Sequence, residues 1–435
     1  KLLKLAENFI FKTSTKEEII LGHLTYAAAR LYNIGNYQRH NWTQASGQDY
    51  PDWYQQKKNL KNEFWYKNLP SQTAQETLKI LSDNWKSYFN SIKDYQKDPD
   101  KYTDKPQPPH YKPKDSKFNI RYLNNGFQIH ENKLRLSIPQ QLKNYLKEEY
   151  SITQNYLWIK VPQELLSDNR NILAHTSRIE IKPIEERVYK IILIYKIKAP
   201  EIKENNNKYL AIDLGINNLM TCYDNTEQKS FIIDGGQYLS INRYFDKKIK
   251  HYQSIINAQG KKTSKRIKQL YAKRRKQLLH LIHAATKKIT EYCKDNEITR
   301  VIVGDIKRIR DNNNLGKRNN QKLHKLPFKT IYNQLEYKLK LAGILLIKQN
   351  EAYTSKCSPY SPEISSQYAS NNNRVYRGLY IDKEKKKAFN ADSVGAFNIL
   401  RKYLQKKKKL SISKLNPERL NQVKKYKWNR HRFCA

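Results

Sequence analysis

Between Lys101 and Lys117 the chain reads KYTDKPQPPHYKPKDSK, and its four prolines divide the 435-residue sequence into two textures. Proline lacks the backbone donor and clashes with the preceding turn, so no helix crosses this stretch and it reads as a linker. Before it, apolar residues recur at helical spacing. Ser14 with Glu17, or Thr15 with Glu18, offers a capping box, and Ile20, Leu24, Ala27, Ala28, Leu31 and Ile34 follow on one face. A second helix is expected after Asp52 and a third from Ser71 towards Ile92, with Ala74, Leu78, Leu81, Trp85 and Phe89 on one face. After the prolines the period shortens to two. FNIRYL, KLRLSIP, YLWIKVP, RIEIKPI and VYKIILIYKI predict a small β-barrel or curled sheet. The opening KLLKLAENFIFKT also reads as a strand that completes this sheet, which makes the helices an insertion in it.

From NNNKYLAIDLG the pattern changes again. Apolar strands at 208–213, 217–223 and 229–234 precede a long basic helical region, 237–295, interrupted near Gly260. There Ile267, Tyr271, Leu278, Ile282, Ala285 and Ile289 make an apolar stripe, while KKTSKRIKQLYAKRRKQ loads the other face with charge suited to phosphate. Then come VIVGDI, the polar loop DNNNLGKRNNQKLH, a helix at 327–343, the strand GILLIKQN, an irregular stretch, and a helix from Asp392 to Lys402. Three strands, a helix, then strands alternating with helices is the order of an RNase H-like α/β fold.

Charge narrows the function. Eighty-three Lys and Arg against 40 Asp and Glu leave a net +43, which repels itself unless a polyanion neutralises it. The same balance would suit a basic ribosomal or chromatin-like protein. Thirty-two Tyr and six Trp suit stacking on unpaired bases, although most are expected in cores. The four cysteines, Cys222, Cys293, Cys357 and Cys434, form no C-x-x-C pair, so neither a disulfide framework nor a zinc ribbon is readable and a reducing cytoplasm is expected. No signal peptide and no apolar run of membrane-spanning length is visible.

Phosphodiester hydrolysis without a protein nucleophile commonly uses two divalent cations about 4 Å apart. Mg²⁺ needs oxygen ligands but few carboxylates, because water and phosphate complete its shell. Asp213 closes the apolar run YLAI before Gly215, and Asp392 stands at the mouth of the helix SVGAFNILRKYL. Taken singly, one is an ordinary turn residue and the other an ordinary N-cap.

Together their surroundings carry more. AIDLGINNLMTCYD closely resembles the first RuvC motif, and NADSVGAFNILRKY the third, of the transposon-encoded TnpB nucleases, relatives of compact type V CRISPR effectors. NNLGKRNNQ, EAYTSKCS and YRGLY resemble one TnpB lineage, and the likeness spans nearly all of 205–404. The resemblance implies a multidomain α+β protein. An N-terminal wedge β-barrel (1–13 and 117–204) would carry a helical recognition insertion with its linker (14–116). The RuvC nuclease domain would follow (205–351 and 391–404), with a nucleic-acid-binding loop at 352–390 and a basic tail from 405. It implies an RNA-guided DNA endonuclease of the prokaryotic cytoplasm, acting as a monomer on a guide RNA from its own element. It would cut double-stranded DNA beside a short flanking motif with two Mg²⁺ ions, or Mn²⁺ in their place. Alternatives are a nuclease-dead RNA-guided repressor, a compact CRISPR effector with an array-derived guide, and a transposase proper.

In two places the chain departs from the family. The commoner pattern ends the VIVGDI strand with a catalytic Glu, and here position 304 is Gly. Asp305, one place along and one methylene shorter, faces the other side of a regular strand. Some TnpB lineages and their eukaryotic Fanzor relatives resemble a different arrangement, with a relocated Glu before Tyr-Thr-Ser, and Glu351 stands there in NEAYTSKCS. Asp213, Glu351 and Asp392 are therefore the expected catalytic metal ligands, with Asp305 the competitor to Glu351. Where the family commonly has two C-x-x-C pairs, Cys357 stands alone, so no structural zinc is expected. The tail, from KKKKL to KKYKWNRHRFCA, interleaves Tyr426, Trp428 and Phe433 with charge and is expected to contact RNA.

Overall fold

The computed structural model describes residues 2–434 apart from 48, 169, 216, 306–326, 371, 375–377 and 408–414. The NNLGKRNNQ loop, part of YRGLY and most of KKKKL therefore lie outside the described residues. The chain forms two compact units, Lys1–Lys198 and Ala199–Ala435.

In the first unit β1 (Leu2–Lys12) is followed by α1 (Thr15–His40), α2 (Trp53–Asn59), α3 (Phe64–Lys67) and α4 (Ser71–Lys97). Then come β2 (Ile120–Leu123), β3 (Phe127–His130), β4 (Lys133–Ser137), α5 (Gln140–Tyr150) and β5 (Tyr156–Lys160). The unit closes with α6 (Gln163–Leu166), β6 (Thr176–Glu185) and β7 (Val188–Lys198). β1 pairs antiparallel with β7 from Leu2↔Lys198 to Lys12↔Val188, so the two ends of the unit meet and the four helices lie between β1 and β2 in sequence. The strands divide into two hydrogen-bonded sheets, β1-β7-β6-β2 and β3-β4-β5, over one core that includes Leu24, Leu78, Leu134, Ile159 and Ile191.

α1 opens with the Ser14–Glu17 capping box: Ser14 N–H donates to Glu17 Oε2 at 2.7 Å and Glu17 N–H to Ser14 Oγ at 3.4 Å. The proline-rich stretch is strapped along this helix. Arg30 donates to Pro113 O at 2.6 Å, Asn33 Nδ2 to Lys112 O at 2.8 Å and Asn36 Nδ2 to Pro109 O at 2.8 Å. Prolines lose their donors but keep their carbonyls, and polar side chains of α1 satisfy them.

The second unit contains β8 (Tyr209–Asp213), β9 (Asn218–Asp224), β10 (Lys229–Asp234), α7 (Gly236–Ala258), α8 (Lys265–Asp295) and β11 (Arg300–Asp305). After them come α9 (Phe328–Leu341), β12 (Leu345–Asn350), β13 (Leu379–Asp382), β14 (Lys387–Asn390), α10 (Ala391–Lys406), β15 (Val423–Asn429) and β16 (Arg432–Cys434). The main sheet has the order β12-β11-β8-β9-β10-β15-β16, with β8, β11 and β12 parallel and β9 antiparallel to both its neighbours. Leu210, Ile212, Val301 and Val303 pack on one side with residues of α7, α8 and α9, including Phe245, Ile282 and Leu335. Tyr209, Ala211 and Ile302 pack on the other with α10, including Phe397 and Leu400.

The tail joins the main sheet. β15 adds to the edge of the sheet parallel to β10, Tyr426 and Phe433 are buried in its core, and Trp428 packs against them. Alternation explains much of the interleaving: in β15 Lys425 and Lys427 face outward, while Tyr426 and Trp428 face the core.

The stretch after Glu351 is fixed by α10. Fully buried Asn398 donates to Thr354 O at 2.9 Å and Cys357 O at 2.8 Å, and buried Arg401 donates to Ser358 O at 3.1 Å and to Ser361 O. Burial pushes the Arg401 pKa down to about 10. Arg401→Met keeps the length but leaves buried carbonyls without donors. We expect it to cost about 2–3 kcal/mol, read as a lower melting temperature.

Candidate active site at three strand ends

β8, β11 and β12 end side by side. Ile212 is level with Val303, Gly304 with Gln349 and Asp305 with Asn350, which puts Asp213 beside Gly304 and Glu351 immediately past the end of β12. Strand parity then assigns faces. Asp213 continues the series Tyr209, Ala211 and Gly304 follows Ile302, so both look towards α10; Asp305 continues Val301, Val303 and looks the other way.

Two glycines let the carboxylates approach. A methyl group built on Gly304 would overlap the Glu351 carboxylate, so this side chain fills the volume a residue at 304 would need. A Cβ on Gly395 would lie 2.6 Å from Asp213 Oδ2, so Asp213 rests against α10. Asp392 lies three residues before Gly395, in the first turn of that helix. Asn390 caps this turn, accepting from the Asp392 and Ser393 N–H groups at 3.1 Å each. The three expected acids are thus drawn towards the same end of the sheet, and Asp305 is left on its opposite face.

Their charges interact. Burial holds the Asp213 carboxyl well above the usual carboxylate range, the charges of Glu351 and Asp392 raise it further, and Arg374 partly offsets them. Burial, with the charge of Asp305, raises Glu351 to about 7. Its Oε1 is buried without a hydrogen-bond partner. Asp392 is better supplied: Asn218 Nδ2 donates to Oδ2 at 2.7 Å, and an Arg374 guanidinium nitrogen lies 3.4 Å from Oδ1. Tyr332 donates its hydroxyl hydrogen to Gly304 O, pinning the end of β11 from the other side of the sheet. Sequence reasoning missed Asn218, Arg374 and Tyr332. Asn218 sits inside the quoted AIDLGINNLMTCYD motif, but nothing in the wording distinguishes its role.

A carboxyl pKa raised by folding favours the folded state in acid, and that contribution is lost as pH rises from about 4.5 through about 7. In metal-free protein we therefore expect Glu351→Gln to melt higher than wild type at pH 8, by up to roughly 3 kcal/mol in stability, and to match it near pH 4.5. Thermal denaturation across that range, in chelator, checks the sign.

Cys357 is buried, with its Sγ 3.4 Å from Ser365 O. Among the described residues, Asp213, Glu351 and Asp392 included, no three His, Cys, Asp or Glu side chains already stand close enough together to hold a metal ion. Nor is any described helix long and apolar enough to cross a membrane.

Comparison with known proteins fits this geometry. A family described as a probable transposase, OrfB_IS605, matches residues 192–310, and the Cas12f1-like TNB domain matches 328–399. No curated protein matches the chain in sequence. Among solved structures, it is similar to the Cas12f1–sgRNA–target DNA complex at 16% identity and TM-score 0.56, over 88% of this chain and 82% of that one. It is also similar to the mini-RNA-guided endonuclease CRISPR-Cas_phi3 at 11% identity and TM-score 0.51, over 92% of each chain. These likenesses are to the fold. One matched region holds Asp213 and the other Glu351 and Asp392, so over its second half the chain is similar to the TnpB-type probable transposases and to the compact type V effectors.

Proposed function

We propose that this protein is an RNA-guided DNA endonuclease with one RuvC-type site made of Asp213, Glu351 and Asp392. The observation that carries it is the Glu351 carboxylate lying over Gly304, beside Asp213, where a strand-borne acid would otherwise stand. The strand order β12-β11-β8-β9-β10, with α10 packed on one face, supports reading this unit as an RNase H-like nuclease core.

The residues suit a hard divalent cation. Their donors are all carboxylate oxygens, Glu351 Oε1 is buried and unpartnered, and Arg374 is the cation that offsets Asp213. A divalent cation bound there supplies Lewis-acid stabilisation of a phosphoryl oxygen and lowers the pKa of water. The chain contributes the rest. Asp213 is held at its strand end by pairing with Thr221 of β9, Glu351 follows the last paired residue of β12, and Asp392 is held by the first turn of α10 and the Asn218 amide. Arg374 is placed to balance charge when phosphate enters.

Guide RNA and target DNA are the proposed partners. The similar Cas12f1 structure is a complex with both, and the net charge of +43 requires polyanions. The exposed Lys265, Arg266, Lys268, Lys273, Arg275 and Lys276 of α8 offer one phosphate-facing surface. The test is to co-express the protein with the DNA flanking its gene, sequence the bound RNA, and assay cleavage of a matched duplex with Mg²⁺ or chelator. Guide-directed, Mg²⁺-dependent cleavage that Asp213→Asn abolishes is expected. Guide-directed binding with no cleavage by wild type would favour a repressor instead.

A further inference from the structure

The three-stranded sheet β3-β4-β5 has a second surface that none of this uses. Its inward residues Phe127, Leu134, Leu136, Leu157 and Ile159 are buried in the core of the first unit. The alternate residues face solvent, and there the two aromatic rings of β5 stand two residues apart: Tyr156 is 37% exposed and Trp158 39%. Large rings left on the solvent side of a sheet with a well-filled core are not needed for folding.

Their neighbours are cationic. Register puts Arg135 beside Trp158 and Lys133 beside Lys160. The Arg135 guanidinium lies 4.3 Å from the centre of the Tyr156 ring, the Lys143 ammonium 5.7 Å from it, and the His130 ring 5.5 Å from that of Trp158. Gln128, which accepts a hydrogen bond from Arg135, completes the face. None of the outward positions on the three strands is a carboxylate.

We infer that this face binds unpaired nucleotides, with Tyr156 and Trp158 stacking on successive bases and Lys133, Arg135 and Lys160 meeting the phosphates. Bases offer flat π-surfaces to such rings whatever their sequence, and the backbone supplies the charge the cations lack. The inference rests on the function proposed above only for the class of partner, since it requires no cleavage.

The full chain is irradiated with single-stranded 4-thiouridine RNA or 4-thiothymidine DNA, and the crosslinked peptides are mapped by mass spectrometry. Crosslinks at Tyr156 or Trp158 are expected, and whichever oligonucleotide gives more identifies the source of the strand. The Tyr156→Ala/Trp158→Ala variant should lose these crosslinks and bind single strands about tenfold more weakly at fixed salt, while Trp158→Phe stays near wild type. Both substitutions lie on the solvent face, so melting temperature should not move. Crosslinks confined to other segments, or unchanged affinity in the double alanine variant, would overturn the inference. Loss of crosslinking leaves guided cleavage as a separate result, and absent cleavage with these crosslinks intact would count against the nuclease alone.

Discussion

Glu351→Gln is expected to lower guide-directed cleavage by about 10³-fold or more, while Asp305→Asn leaves it close to wild type. The two acids sit near each other, and the charge of Asp305 raises the pKa of Glu351. Only one shares a face with Asp213, because successive strand residues alternate and Asp305 continues the series Val301, Val303. Replacing a carboxylate by its amide keeps shape and removes charge, so a metal-binding role loses most of its energy while a packing role loses little. Single-turnover cleavage, with the guide-loaded protein in excess over target, separates the outcomes. Full activity in Glu351→Gln with none in Asp305→Asn would reverse the assignment.

Gly304→Ala is expected to cut cleavage by about 100-fold with little change in melting temperature. The added methyl collides with the Glu351 carboxylate, the far end of a flexible side chain, rather than with backbone. Relief is therefore easy: Glu351 swings aside, the fold survives, and the acid leaves its productive position. A displacement near 1 Å is enough for a loss of this size. The compensating variant Gly304→Glu/Glu351→Ala returns the carboxylate to β11, and it should recover activity over Gly304→Ala. If Gly304→Ala cleaves like wild type, Glu351 is not the acid at this site.

Much was legible in the sequence because it is written in local patterns. The Ser14–Glu17 cap, the helical stripes of α1, α4 and α8, and the apolar strands β8 to β12 follow from spacing that any short segment carries. Local pattern was incomplete where one pattern serves two roles. In the tail, aromatic residues among lysines read as a nucleic-acid surface, and the strands β15 and β16 bury Tyr426 and Phe433 at the edge of a sheet begun more than two hundred residues earlier. The prolines of 101–117 excluded a helix, yet said nothing of the asparagines on α1 that hold them.

At the candidate site the division is sharper. By itself the sequence determined which strands exist, where each ends, and that position 304 has no side chain. Composition and period suffice for that, because alternation and turn chemistry act over a few residues. Only the tertiary structure decided that Glu351 lies in the space over Gly304, that Asp213 rests on Gly395, and that Asn218 and Arg374 hold Asp392. These contacts join residues from 18 to 182 positions apart. They depend on strand register and on where α10 packs, and a carboxylate's neighbours in space are fixed by that packing rather than by its neighbours in the chain.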